Sequence, residues 1–205
     1  MSQRESFLEL VRARRSIRKF REDPIPQETL HSLIEAASWA PSASNRQDWE
    51  FTVITSENVK EEMKKLVWSR WESLLRREKE DAVTEGLRSY LKNFDWFAQA
   101  PVLIVISAKR PEAFLCNMFG DAAEGIAGTS VSAAMAAENL MLAAHASGVG
   151  SCCVTGPLAA EEELKGLLGM GKRRRIVCLI ALGYPAEQPA APGRKPVERI
   201  AKYIE

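Results

Sequence analysis

The chain has 205 residues, enough for one large domain with a substantial core. A hydrophobic fraction of 46% and a charged fraction of 27% are those of an ordinary soluble globular protein. Twenty-eight Lys and Arg nearly balance 27 Asp and Glu, and a net charge of +1 argues against a general nucleic-acid binder.

Residues 3–15 carry Phe7, Leu8, Leu10 and Val11 among charges and read as an amphipathic helix. The segment RRSIRKF (Arg14–Phe20) follows its end. Pro26 opens a second helix with Leu30, Leu33, Ile34 and Ala37 as its buried stripe, stopped by Pro41. Residues 41–48 form a polar loop, and Glu50–Thr55 has strand composition. Over 57–93, apolar residues recur at helical spacing among charges of both signs. We expect one or two long helices there, with a break at Gly86. Val102–Ser107 is a buried strand, and its run Val102–Ile106 is too short to cross a bilayer. The glycines and Pro111 make 109–128 irregular. Thr129–Ser147 is a helix apolar nearly all round, suited to the centre of the molecule or a subunit contact. Residues 148–156 (GVGSCCVTG) read as a glycine-punctuated turn, Glu161–Leu168 as a short helix and Arg175–Leu182 as a buried strand. A Pro-rich tail (185–196) ends the pattern. Helices and strands interleave, so a single layered α+β (α/β) domain over 1–205 is expected.

Met1 leads directly into a charged segment, so no secretory signal is read. Cys116, Cys152, Cys153 and Cys178 form no CxxC pair. Reduced thiols and a cytoplasmic location fit better than a disulfide framework. His31 and His145 are far apart in sequence and show no metal-ligand spacing. The run KRRR (172–175) reads as a solvated loop.

Four short segments carry the chemistry. Arg14, Arg15, Ser16 and Arg18 put three guanidinium groups and a hydroxyl within five residues. Arg offers a planar fork of donors and a charge that does not titrate, so the cluster suits a phosphate. Read alone, it is a helix end where cations favour the negative pole of the macrodipole. PSASN (41–45) read alone is a polar loop. GVGSCCVTG has glycines for close backbone approach, and its cysteines read as small buried residues rather than nucleophiles. GRKP (193–196) read alone is a solvated tail.

In that order and spacing the four segments resemble the nitroreductase family of FMN-dependent oxidoreductases. The resemblance implies a central mixed sheet flanked by helices in an intertwined homodimer, with FMN at the subunit interface. It assigns Arg14, Arg15 and Ser16 to the FMN phosphate and ribityl chain, and Arg18 to the pyrimidine edge of the flavin. Pro41, Ser42, Ser44 and Asn45 would contact the partner subunit's flavin. Cys153, Val154, Thr155 and Gly156 would lie along the ring, with an amide near Thr155 or Gly156 facing N5. Arg194 and Lys195 would close over the phosphate. The implied activity passes electrons from NADH or NADPH through FMN to a nitroaromatic, quinone or similar acceptor in a ping-pong cycle, with no catalytic side chain required. Two departures stand out. Asp48 replaces a usual proline and adds negative charge near the expected substrate face. Pro192 stands where a lysine is usual. The resemblance does not extend over 57–97 and 109–128. Other flavin reactions on the same fold, including reductive dehalogenation, dehydrogenation and flavin breakdown, stay open, as do a non-catalytic flavin-binding protein and a basic-patch nucleic-acid binder.

Overall fold

The computed structural model describes residues 2–76, 85–88, 91 and 94–204. Helix α1 (Gln3–Ala13) begins at Ser2, whose hydroxyl accepts from the Glu5 amide while the Glu5 carboxylate accepts from the Ser2 amide. This reciprocal cap satisfies two amides that the first turn leaves unbonded. Helix α2 (Gln27–Ser38) follows Pro26 and buries Leu30, Leu33 and Ala37. Strand β1 (Trp49–Ile54) leads into α3 (Glu57–Leu75), whose first turn is capped by the Ser56 hydroxyl. A short α4 (Trp96–Gln99) precedes β2 (Val102–Lys109). Helices α5 (Ala113–Phe119) and α6 (Ala123–Ala127) lead to the long α7 (Thr129–Ala146). Strand β3 (Gly150–Val154), α8 (Glu161–Leu167) and β4 (Arg174–Gly183) complete the set.

The four strands pair in the order β1-β2-β4-β3, and every ladder among them is antiparallel. The parallel component of the sheet is an isolated bridge between Ser16 and Ser151. Val102–Ala108 is buried at every position because both faces of the sheet are covered. On one face Ile104, Ile106, Ile180 and Leu182 pack with Leu33, Ala37, Ala133 and Leu140 of α2 and α7. On the other, Leu103, Val105, Leu179 and Ala181 pack with Met63, Val67, Phe97 and Leu164. Each large side chain buried this way contributes about 1.5–3 kcal/mol. The alanines of α7 let it lie close to α2, and Asn139 Nδ2 donates to the Ala36 carbonyl across that contact at 3.4 Å.

Several expectations are corrected. Residues 109–128 are not irregular: they contain α5, a 3₁₀ turn and α6. Gly120 and Gly128, at φ 52° and 65°, end helices rather than prevent them, and Gly125 lies inside α6. The turn expected over 148–156 contains β3. Residues 85–88 are helical, so Gly86 lies within a helix and does not break one, while 77–84 lie outside the described residues. The arginines of KRRR are not merely solvated. Arg173 pairs with Glu112, Arg174 with Glu50 and Arg175 with Glu124. Helix α1 is amphipathic yet buries no residue within this chain, leaving Phe7 and Val11 exposed. Among the described residues, no helix is long and apolar enough to cross a membrane.

Gly183 closes β4 where a Cβ would stand 2.7 Å from Pro101 Cδ and 2.8 Å from Phe20 Cδ1. Both neighbours belong to half-buried rings that would have to shift. Gly183→Ala is expected to lose about 1–3 kcal/mol of stability, read as a lower midpoint in urea unfolding; an unchanged midpoint would contradict this packing.

Candidate functional site

The Arg14 amide closes the last turn of α1 by donating to the Leu10 carbonyl. The chain then turns extended and runs beside β3, where the Ile17 amide donates to the Ser151 carbonyl at 3.0 Å. Ile17 is buried against Gly150, whose missing Cβ would stand 3.0 Å from the Ile17 side chain. Extended backbone sends successive side chains to opposite sides. Arg14, Ser16 and Arg18 lie on the side of Cys152, where the charges of Arg18 and Arg14 act on its thiol. Burial is the largest influence on Cys152 and raises its pKa against the pull of these cations. Arg14 lies 3.7 Å from Glu138 of α7, and the Arg18 guanidinium sits over the Trp96 ring at 5.7 Å. The Glu187 carboxylate accepts from the amides of Arg18 and Lys19 at 2.6 and 3.1 Å.

Arg15 and Ile17 face the other way, into a cavity of about 420 Å³ shared with His145, Gly150, Ser151 and Glu187. The Ser151 hydroxyl oxygen is buried there without a hydrogen-bond partner. Burial, then the charges of Arg14 and Arg15, lower the pKa of His145 and favour its neutral form. At the far end of β3, Cys153 is exposed and Cys178 is buried. They lie diagonally across the β3–β4 ladder, because Cys153 stands opposite Ile180. Interaction between the two thiols lowers the pKa of Cys153 and, together with burial, raises that of Cys178.

The PSASN loop lies elsewhere. Ser44, Asn45 and Gln47 all have φ near +50°, a conformation that costs a side-chain-bearing residue about 1–3 kcal/mol. The loop persists because it is tied down. The Ala43 amide donates to Ser132 Oγ at 3.2 Å, the Gln47 amide to Ser42 Oγ at 3.1 Å, and Arg46 Nη2 to the Ala127 carbonyl at 2.6 Å. Asp48 is central to these ties and does not add a free charge to a substrate face. Its carboxylate meets Arg46 Nε at 2.8 Å and Lys109 Nζ at 3.1 Å, while Arg174 donates to its carbonyl. Burial alone would raise its pKa, but the bonds and charges of Arg46 and Lys109 outweigh that and hold it below the ordinary value.

The structure therefore places Arg14, Arg15, Ser16 and Arg18 along the outer edge of β3, with Arg15 on the side opposite the other three. It does not bring Pro41, Ser42, Ser44 and Asn45 to the same place in one chain. Their anchor, Ser132, lies in the first turns of α7, six residues before Glu138, which Arg14 meets, and among the described residues no hydrogen bond or ion pair joins the loop to residues 14–18. Arg194 and Lys195 are exposed, and Arg194 Nη1 bonds to the carbonyl of neighbouring Gly193. The tail is fastened to the cluster instead through Glu187, the Ala186 amide on the Lys19 carbonyl, and a bridge between Phe20 and Pro185. Glu187, Ser151 and Trp96 were not singled out as site residues by the sequence, since nothing in their local pattern distinguishes them.

Residues 11–184 match the Nitroreductase family. The chain belongs to that family. An NADH dehydrogenase of Thermus thermophilus is 28% identical over 91% of this chain and 90% of its own length. Human iodotyrosine deiodinase 1 is 27% identical, over 96% of this chain and 68% of its own. A BluB-like flavoprotein from Clostridium difficile 630 superposes with a TM-score of 0.84 at 26% identity, each chain covered completely. A nitroreductase with bound FMN from Bacteroides fragilis shares the fold at a TM-score of 0.72 and 23% identity, over 97% of this chain and 98% of that one.

Asp48 yields a pH-dependent prediction. A carboxyl with a depressed folded-state pKa stabilises above its unfolded value, near 4, and loses that contribution as pH falls through the folded value. Asp48→Asn is expected to lower Tm by about 2–4 °C at pH 7, with the gap to the parent narrowing below about pH 4. A gap constant down to pH 2 would mean that the carboxylate does not hold the loop.

Proposed function

We propose that this nitroreductase-family chain is an FMN-dependent oxidoreductase that acts as a homodimer, taking electrons from NADH or NADPH and passing them to a nitroaromatic, quinone or similar small acceptor. The observation that carries the reading is the convergence of Arg14, Ser16 and Arg18 on the edge of β3 at Cys152, with Arg15 and the buried, unpartnered Ser151 hydroxyl on the cavity side of the same segment. Guanidinium groups and hydroxyls suit a phosphate and a polyol chain. A cation at Arg18, held in place by the Trp96 face, would stabilise negative charge that develops on a reduced ring. Bound FMN would supply the redox chemistry. This chain's own residues would bind and orient it, and its amides and cations would tune it.

Two observations support the dimer. Among the described residues, the half-sites at 14–18 and 41–45 share no hydrogen bond or ion pair within one chain, and a second copy would unite them. Helices α1 and α7 also leave Phe7 56% and Val131 53% exposed, an apolar surface that a partner would cover. In such a dimer the strained PSASN loop would reach the partner's flavin, and Arg194 and Lys195 would be free to close on a phosphate.

The primary test is visible absorption of the purified protein, followed by anaerobic addition of NADH or NADPH. Flavin bands that bleach on addition support the reading; a colourless protein that also fails to take up FMN would overturn it. The double variant Arg14→Ala with Ser16→Ala is expected to lose FMN retention by at least tenfold, about 1.4 kcal/mol. FMN is also expected to slow alkylation of Cys153 while leaving exposed Cys116 unaffected; equal rates with and without FMN would place the ring elsewhere. A second reading, reductive dehalogenation, follows from the likeness to the deiodinase. Electron transfer measured over nitroaromatics, quinones and halogenated aromatics separates the two.

A further inference from the structure

We infer that Trp71 of α3 is a positioning residue for the flavin-facing backbone at Thr155 and Gly156. The inference rests on the FMN reading above and concerns α3, outside the four segments that carry the sequence resemblance. Trp71 Nε1 donates to the Gly156 carbonyl at 3.2 Å. One residue earlier, Arg70 Nε donates to the Ala159 carbonyl at 3.2 Å. Helix α3 thus grips the turn that follows β3 at both ends.

The grip matters because of what occupies position 156. A Cβ there would stand 2.4 Å from Cζ of the buried Phe94 ring, so glycine is imposed by packing. Glycine is also the residue with the widest backbone freedom. The site therefore puts its least constrained residue where an amide must be aimed. The indole N–H removes that freedom. It fixes the plane of the peptide joining Gly156 to Pro157, and so the ψ angle of Gly156. On the other side of the turn, the Leu158 amide donates to the Thr155 carbonyl at 2.9 Å. With both ends pinned, the amides of Thr155 and Gly156 hold one orientation before any ligand arrives, which lowers the cost of binding.

Orientation of these amides has a redox consequence. N5 of an oxidised flavin carries a lone pair and accepts a hydrogen bond. After two-electron reduction N5 carries a hydrogen and no longer welcomes a donor. A well-aimed amide thus favours the oxidised form, and loosening it weakens binding of oxidised FMN more than of reduced FMN.

The test compares Trp71→Phe with Trp68→Phe. The first keeps an aromatic ring and removes only the N–H. The second removes an indole N–H from the same helix whose partner is the Asp95 carboxylate rather than a carbonyl of the turn. We expect W71F to fold and keep FMN, with the affinity ratio of oxidised to reduced FMN falling about tenfold. For a two-electron couple that is a rise of about 30 mV in midpoint potential. W68F is expected to leave the ratio at the parent value. If the parent binds FMN but W71F leaves the ratio unchanged, or W68F moves it equally, Trp71 has no positioning role. If the parent binds no FMN, the FMN reading itself fails. A second measurement needs no variant: amide exchange in the parent protein should protect Leu158 to the level of β3, and fast exchange there would show that the turn is not braced.

Discussion

The outer edge of β3 is the constraint on which the site depends. Strand β4 satisfies one side of β3, and the other side presents backbone groups that need partners. Ser16 and Ile17 supply them by running alongside, with the Ile17 amide on the Ser151 carbonyl. Ile17 can lie that close only because residue 150 is glycine. Once this short segment is locked extended, alternation distributes the guanidinium groups to its two sides, and Glu187 fixes its far end through two amides. The cation cluster is thus held by backbone pairing rather than by contacts among the arginines, which would repel one another.

The opposite face of the sheet supplies rigidity. Lys60 of α3 is 5% exposed, and its ammonium donates to the carbonyls of Ala100 and Pro101 at 2.6 and 3.3 Å. Burial lowers its pKa, but those carbonyls at the end of α4 are suitable partners for a cation. The bond ties α3 to the start of β2. Phe97 and Met63 fill the space between, both fully buried. Helix α3 is therefore anchored to the central strand at one end and reaches the turn after β3 at the other.

Much of this was legible in the sequence. The spacing of Leu30, Leu33 and Ala37 gave α2, the alanine-rich run gave α7, and the continuous apolar runs gave β2 and β4, because a strand covered on both faces has no polar alternation to hide it. Strand β3 was missed because it is short and flanked by Gly148, which ends a helix, and because Gly150 serves the close approach of Ile17 rather than a turn. Helices α5 and α6 were missed because their terminal glycines resemble loop composition. At the site, the family pattern led to residues 14–18 and 153–156, yet no local signal marked Ser151 or Glu187. Their roles come from long-range pairing that a single sequence does not encode. Asp48 looked like a surface charge until Arg46 and Lys109 were seen around it.

The separate footholds of the two half-sites on α7 have a genetic consequence. Ser132 holds residues 41–45, and Glu138, six residues further on, meets Arg14. In the proposed dimer, each flavin site would then draw one half from each subunit. A chain damaged at Arg14 and a chain damaged at Asn45 would each be inactive when paired with itself. Co-expressed, they would form mixed dimers in which both lesions fall in one site and the other site is intact. Two defective alleles would thus complement each other up to half the parental activity per mixed dimer, a behaviour unavailable to a protein that completes its site within a single chain.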